Sequence, residues 1–192
     1  MARVTERTSR VDDLIRRLDA AVATHDEHTI CLNVKRVLED VVSTGEQFVD
    51  TAYLQPAPDR YARRLLHRDP KGRYTVVVMV WDRGQGTPLH DHAGMWCVEC
   101  VYRGRIRVSS FDLVGDAESA TVQFQPQTVV MAGVGEAGAL IPPFEYHKIE
   151  NPAPTPAVTL HVYGGEMVWS HAFFPVEGGA FRRETRQLSY TG

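Results

Sequence analysis

Residues 74–81 read Tyr74-Thr75-Val76-Val77-Val78-Met79-Val80-Trp81, a run of β-branched and aromatic side chains without a single charge. That is the composition of a buried strand, and it marks a change of character in the chain. Downstream, strand-like runs recur at Cys97–Tyr102, Ile106–Phe111, Thr121–Phe124, Thr128–Met131 and Ala157–Tyr163, punctuated by Gly, Pro and Asp. Many short strands joined by tight turns predict an antiparallel sandwich or barrel. Upstream, Val11, Ile15, Leu18 and Val22 recur at the three- and four-residue steps of one helix face. A second helix is predicted over Ile30–Val42, carried by Leu32, Val34, Val37 and Leu38 and ending near Gly45. Phe48–Pro58 reads as a connecting stretch. A third short helical piece is predicted over Asp59–Leu66, stopped by the Asp69-Pro70-Lys71-Gly72 turn. The expected layout is one domain over residues 1–192, in which a mostly helical segment, 1–68, packs on a mainly β body.

Bulk properties exclude several function classes. With 43% hydrophobic and 23% charged residues among 192, a core can be buried without covalent staples. The net charge is -3 and no long basic run occurs, so no nucleic-acid footprint is expected. No apolar run approaches the roughly 20 residues that cross a bilayer. The N-terminal residues are too polar for a signal peptide. Cys31, Cys97 and Cys100 are too few and too unevenly placed for a disulfide framework. A cytoplasmic monomer is expected.

The chemistry concentrates in Thr87-Pro88-Leu89-His90-Asp91-His92. On an extended strand, side chains at i and i+2 share a face, so His90 and His92 converge on one point. Imidazole is the commonest transition-metal ligand near neutral pH. Gly84 stands six residues before His90, Cys97 five after His92, and Gly104 seven after Cys97. This resembles the first cupin motif, with Cys97 where a glutamate usually stands. Pro142, His147 and Asn151 resemble the second motif, with Phe144 in place of its glycine. The metal ligands read this way are His90, His92 and His147. Three neutral imidazoles leave the full charge on a dipositive metal and favour an anionic substrate ligand such as a thiolate. Iron and zinc both suit such a set, and ligand type alone does not choose between them.

The wider pattern resembles the cysteine dioxygenases. It comprises Tyr61-Ala62-Arg63, His90-Asp91-His92, Cys97, His147-Lys148-Ile149-Glu150-Asn151 and Thr159-Leu160-His161-Val162-Tyr163. The resemblance implies a cupin-type antiparallel β-barrel (jelly roll) with N-terminal helices. It also implies Fe(II) as cofactor, and a small thiol and O₂ as substrates. It implies that His161 and Thr159 orient Tyr163 beside the metal and that Cys97 is available for a thioether bond to Tyr163. Arg63 would pair with the substrate carboxylate, a role that suits a guanidinium fork, and Tyr61 would support the active-site tyrosine through a hydrogen bond. Thr159, His161 and Tyr163 alternate along one strand and should face one interior.

The expected reaction adds both atoms of O₂ to a thiolate, with L-cysteine as substrate and cysteine sulfinic acid as product. A 3-mercaptopropionate oxygenase is the alternative, since His161-Val162-Tyr163-Gly164-Gly165 resembles that branch. A non-catalytic metal-binding cupin sensor and a zinc or manganese cupin isomerase are rivals from other classes. Cys31 and Cys100 read as core. Arg60, Arg64 and Arg68 read as solvated or on a helix face; Arg182, Arg183 and Arg186 read as near the pocket or solvated, the second being preferred. His25, His28, His67 and His171 read as surface or packing residues.

Overall fold

The computed structural model describes residues 2–116, 119, 121–143 and 145–192, with the backbone alone for 2–9. Phe144 therefore lies outside the described residues. Helix α1 spans Ala2–Ala21 and α2 spans Glu27–Ser43. The second starts where Asp26, in extended conformation, accepts from Thr29 N at 2.8 Å, which satisfies one of the free donors at the helix start. Ile30, Cys31, Val34, Leu38 and Val42 form its buried stripe.

Eleven strands are described: β1 Ala62–Arg68, β2 Thr75–Trp81, β3 Leu89–His90, β4 Cys97–Arg103, β5 Arg105–Val114, β6 Thr121–Gly133, β7 Ala137–Leu140, β8 His147–Glu150, β9 Ala157–Tyr163, β10 Trp169–Pro175 and β11 Phe181–Gln187. They form two sheets in a cupin-like arrangement. One has five strands in the order β1-β2-β9-β4-β7. In the other, pairing runs β10-β11-β6-β5-β8-β3 and β3 pairs with β10 in turn.

Alternation along the five-stranded sheet sorts its side chains. Val76, Val78, Val80, Val98, Val158, Leu160 and Val162 face the helices and pack with Leu14, Leu18, Val34 and Leu38 in one apolar core. Val77, Met79, Trp81, Cys97, Val101 and Tyr163 belong to a separate cluster on the opposite face. The buried strand expected at 74–81 is β2, whose seven residues are all buried.

Three expectations change. The segment expected as a helix over Asp59–Leu66 instead contains β1, which pairs with β2 from Ala62↔Val80 to Arg68↔Thr75. Its pattern suits either element, and the ready edge of β2 decides between them. The Asp69–Gly72 turn joins two strands, with Gly72 N donating to Asp69 O at 2.9 Å. The runs at Thr121–Phe124 and Thr128–Met131 form one strand, β6, with Pro126 at an irregularity in its pairing with β5. The stretch after Met167, for which the sequence predicted no element, contains β10 and β11, which pair along their whole length from Trp169↔Gln187 to Pro175↔Phe181.

Candidate metal centre and active site

His90 closes the two-residue strand β3 and sits directly opposite His147 on β8. Their ring centroids are 4.5 Å apart. His92 lies beyond the end of the strand, so strand alternation is not what brings it to the others. A turn does this. Met95 N donates to His92 O at 3.0 Å, and Ala93 adopts φ 53°, the left-handed region that non-glycine residues seldom enter. Asp91 braces the turn. Its Oδ1 accepts from Ala93 N (3.1 Å) and His171 N (2.9 Å), while Oδ2 faces His171 Nδ1 at 2.7 Å. His171 therefore fixes the ligand loop to β10.

The ligand nitrogens of His90, His92 and His147 all lie within 4.8 Å of one another. His90 Nδ1 is 3.1 Å from Pro88 O, and His147 Nδ1 is 3.1 Å from Glu145 O. We assign the ring protons to these Nδ1 atoms, which leaves each Nε2 as a free electron-pair donor. His147 Nε2 and His92 Nδ1 are buried without a hydrogen-bond partner. An orphaned buried polar atom costs about 1–3 kcal/mol, and a metal ion relieves that cost. Burial lowers the pKa of all three rings, those of His92 and His147 most, and keeps them in the neutral form that binds metal. The donor set fits one transition-metal ion with open positions.

The three histidines line a cavity of about 270 Å³ together with Tyr61, Arg63, His161 and Tyr163. Arg63 reaches it because alternation along β1 turns Ala62 into the helix-facing core and Arg63 the other way. Arg63 is 96% buried, and its guanidinium donates from Nη2 to Met167 O at 2.7 Å and leaves Nε without a partner. Tyr190 lies under it at 4.8 Å, and Thr191 exchanges two hydrogen bonds with the Arg63 backbone. The C-terminal residues thus hold the arginine in place.

On β9, Thr159, His161 and Tyr163 share the cavity-facing side. Trp81 Nε1 donates to Thr159 Oγ1 at 2.9 Å, and Thr159 Oγ1 lies 2.7 Å from His161 Nε2. Tyr163 Oη is 3.4 Å from His161 Nδ1 and 3.8 Å from Met79 Sδ. Burial lowers the His161 pKa to about 3 and raises that of the Tyr163 phenol well above its usual range. Cys97 sits directly across from Tyr163 in the β4–β9 register, with its sulfur 4.0 Å from His161 Nδ1. Tyr61 stacks on Trp81 at 4.7 Å. The partners of the Tyr163 hydroxyl are Met79 and His161 instead of the expected Tyr61.

One residue near the cavity, Glu99, has no counterpart among the residues singled out from the sequence. Glu99 is 95% buried, and its Oε2 lies 3.6 Å from His161 Nδ1 and 4.0 Å from His147 Nε2. Desolvation pushes its pKa up to about 8. The signal was its place two residues after Cys97, on the same strand face. Arg186 also lines the cavity, with its guanidinium 4.9 Å over Phe174 and paired to Glu184 at 2.9 Å. Its side chain is 54% exposed, so it is both solvated and at the mouth. Cys31 and Cys100 are buried in the helix-side core, as expected.

A cavity holding three neutral histidines with open positions beside them defines a protein with a mononuclear transition-metal site. Residues 3–174 match the family model for cysteine dioxygenase type I, and the chain belongs to that family. It is 26% identical over 162 residues to the cysteine dioxygenase type 1 of Rattus norvegicus, covering 84% of this chain and 77% of that one. The Mus musculus protein of the same name matches with the same identity and coverage. The crystal structure of TT1209 from Thermus thermophilus overlays with a TM-score of 0.47 at 19% identity, covering 61% of this chain and 95% of that one. This protein is an Fe(II)-dependent thiol dioxygenase, with iron held by His90, His92 and His147. Among the described residues, no helix is long and apolar enough to cross a membrane.

Proposed function

We propose that the thiol is L-cysteine and that the product is cysteine sulfinic acid. The observation that carries this reading is Arg63, a buried guanidinium with a free Nε in the same cavity as the three histidines. A desolvated fork with unspent donors suits a carboxylate, and the cavity is sized for a small thiol acid. Both oxygen atoms of O₂ end on sulfur, so RSH + O₂ gives RSO₂H with no other reductant. Bound iron supplies the positions at which thiolate and O₂ meet.

The protein's own groups then have distinct tasks. Arg63 anchors the carboxylate and fixes which end of the substrate faces the histidines. Thr159 and His161 hold the Tyr163 ring, and its hydroxyl donates to the reacting oxygen. Tyr61 walls the cavity beside Arg63. Cys97 and Tyr163 are directly opposed across two strands, and that placement supports a bond from Sγ to a ring carbon, with two hydrogens passing to O₂ to give H₂O₂. Intact mass lower by two hydrogens after turnover, absent in Cys97→Ala, tests that bond. We further infer that the two sheets close as a cupin-type jelly roll, that residues 1–192 form one domain, and that the protein works as a cytoplasmic monomer.

The substrate is tested by iron content and O₂ uptake with cysteine, 3-mercaptopropionate and cysteamine. Highest kcat/KM on cysteine supports the assignment. Preference for 3-mercaptopropionate, which lacks the amine, would move the protein to the mercapto-acid branch. Metal binding without any thiol-dependent uptake would favour a sensor.

A further inference from the structure

We propose that Glu99 is a positioning residue for the thiol oxidation: its Oε2 accepts the Nδ1 proton of His161 and thereby sets the His161–Tyr163 pair. The proposal rests on the functional reading given above.

Hydrogen-bond bookkeeping locates that proton. The indole Nε1 of Trp81 can only donate, so Thr159 Oγ1 accepts from it at 2.9 Å. The Thr159 hydroxyl then has its own hydrogen to give, and His161 Nε2 is 2.7 Å away. Nε2 of a neutral ring that accepts leaves the ring proton on Nδ1. That N–H faces Tyr163 Oη at 3.4 Å, Glu99 Oε2 at 3.6 Å and Cys97 Sγ at 4.0 Å. None of these is a short contact. Glu99 Oε2, meanwhile, is buried and has no hydrogen-bond partner. A buried donor held by a long 3.4 Å contact to Tyr163 Oη thus faces, at 3.6 Å, a buried acceptor without a donor, and a shift of roughly half an ångström completes the second bond.

The register shows why these groups meet. Glu99 on β4 lies directly opposite His161 on β9. Trp81, Thr159, His161 and Glu99 therefore form a polar chain across three adjacent strands, β2, β9 and β4, on the cavity side. Trp81 and Thr159 hold one edge of the imidazole, and Glu99 holds the other. With its N–H committed to Glu99, His161 stays parallel to the Tyr163 ring (18° between planes) and leaves the phenol hydroxyl free to point into the cavity. A carboxyl in this place is poorly suited to a purely structural task. An apolar side chain would pack there without an orphaned oxygen.

The test compares Glu99→Leu, Glu99→Gln, His161→Ala and the His161→Ala/Glu99→Leu pair, each loaded with iron. Glu99→Leu should lower kcat about tenfold and move KM for the thiol less than about threefold. Its melting temperature should hold or rise, because an unpartnered carboxyl is removed. Glu99→Gln keeps an acceptor oxygen and should recover most of the lost kcat. Adding Glu99→Leu to His161→Ala should cost nothing more. In zinc-loaded protein, which is diamagnetic, the ¹⁵N shifts of His161 should place the proton on Nδ1 and change in Glu99→Leu. A proton on Nε2, additive losses in the double variant, or wild-type kcat in Glu99→Leu would each overturn the proposal. So would equal loss of iron from Glu99→Leu and Glu99→Gln, which would make Glu99 a determinant of metal binding. The shift measurement does not depend on thiol turnover. An enzyme inactive on every thiol would therefore count against the functional reading and still leave Glu99 judged.

Discussion

The two faces of β9 are built to opposite specifications. Toward the helices it presents Val158, Leu160 and Val162, packed with both helices in a dry apolar cluster. Toward the cavity it presents Thr159, His161 and Tyr163, all polar and all at most 2% exposed. Both faces are equally buried, so burial does not separate stability from chemistry here. The difference lies in what the buried groups do. On one face, apolar area removed from water stabilises the fold. On the other, polar atoms are desolvated and bonded to one another, and they face a cavity in which Arg63 Nε, His92 Nδ1 and His147 Nε2 lack partners within the chain, atoms that metal and substrate would satisfy.

That contrast can be broken experimentally. The largest effect should come from His147→Ala, which removes a fully buried ligand from the cavity face. It should abolish most iron binding and thiol-dependent O₂ uptake yet leave the fold intact, because the apolar core between helices and sheet does not include it. Iron content and circular dichroism check this, and full activity would sink the ligand assignment.

Leu160→Ala probes the opposite face. Removing a fully buried leucine should destabilise the protein by about 2–5 kcal/mol, measured by urea unfolding. The folded fraction should keep its KM and kcat. A large change in either would mean that the two faces are mechanically coupled.

Arg63→Ala should raise KM for carboxylate thiols by roughly ten- to a hundredfold, the worth of a charge-assisted contact. Cysteamine, which has no carboxylate, should be affected far less. Equal effects on both thiols would make Arg63 structural and turn attention to Arg186 at the mouth.

The smallest effect lies outside both faces, in the turn between β1 and β2. Arg73 bonds Asp69 at 2.7 Å and also reaches Asp19 on α1. The Arg73 guanidinium holds the Asp69 carboxyl well below its usual range. A depressed folded-state pKa contributes stability that is present above the unfolded value of about 3.9 and lost as pH falls through the folded value. Asp69→Asn should therefore lower the melting temperature by roughly 2–4 °C at pH 7 and flatten its decline below about pH 4. An unchanged acid limb would remove Asp69 from the account.

Much of this protein was legible in the residues themselves. Composition and period marked the α1 and α2 stripes and the buried runs of β2 and β9, because those patterns follow from backbone geometry. The motifs around His90, His92, His147 and Tyr163 named a metal, a reaction class and a cavity face. Contacts between distant segments could not be read that way. Asp59–Leu66 has a pattern that suits either element, and only the open edge of β2 makes part of it a strand and turns Arg63 inward. His92 meets the other ligands through a left-handed turn braced by Asp91 and His171, which are 80 residues apart. Glu99 looked like any acidic residue in a strand until the β4–β9 register set it against His161. Local pattern is written in single-chain geometry, whereas partner and register depend on which distant strands pair, and that choice is made only when the whole core is buried together.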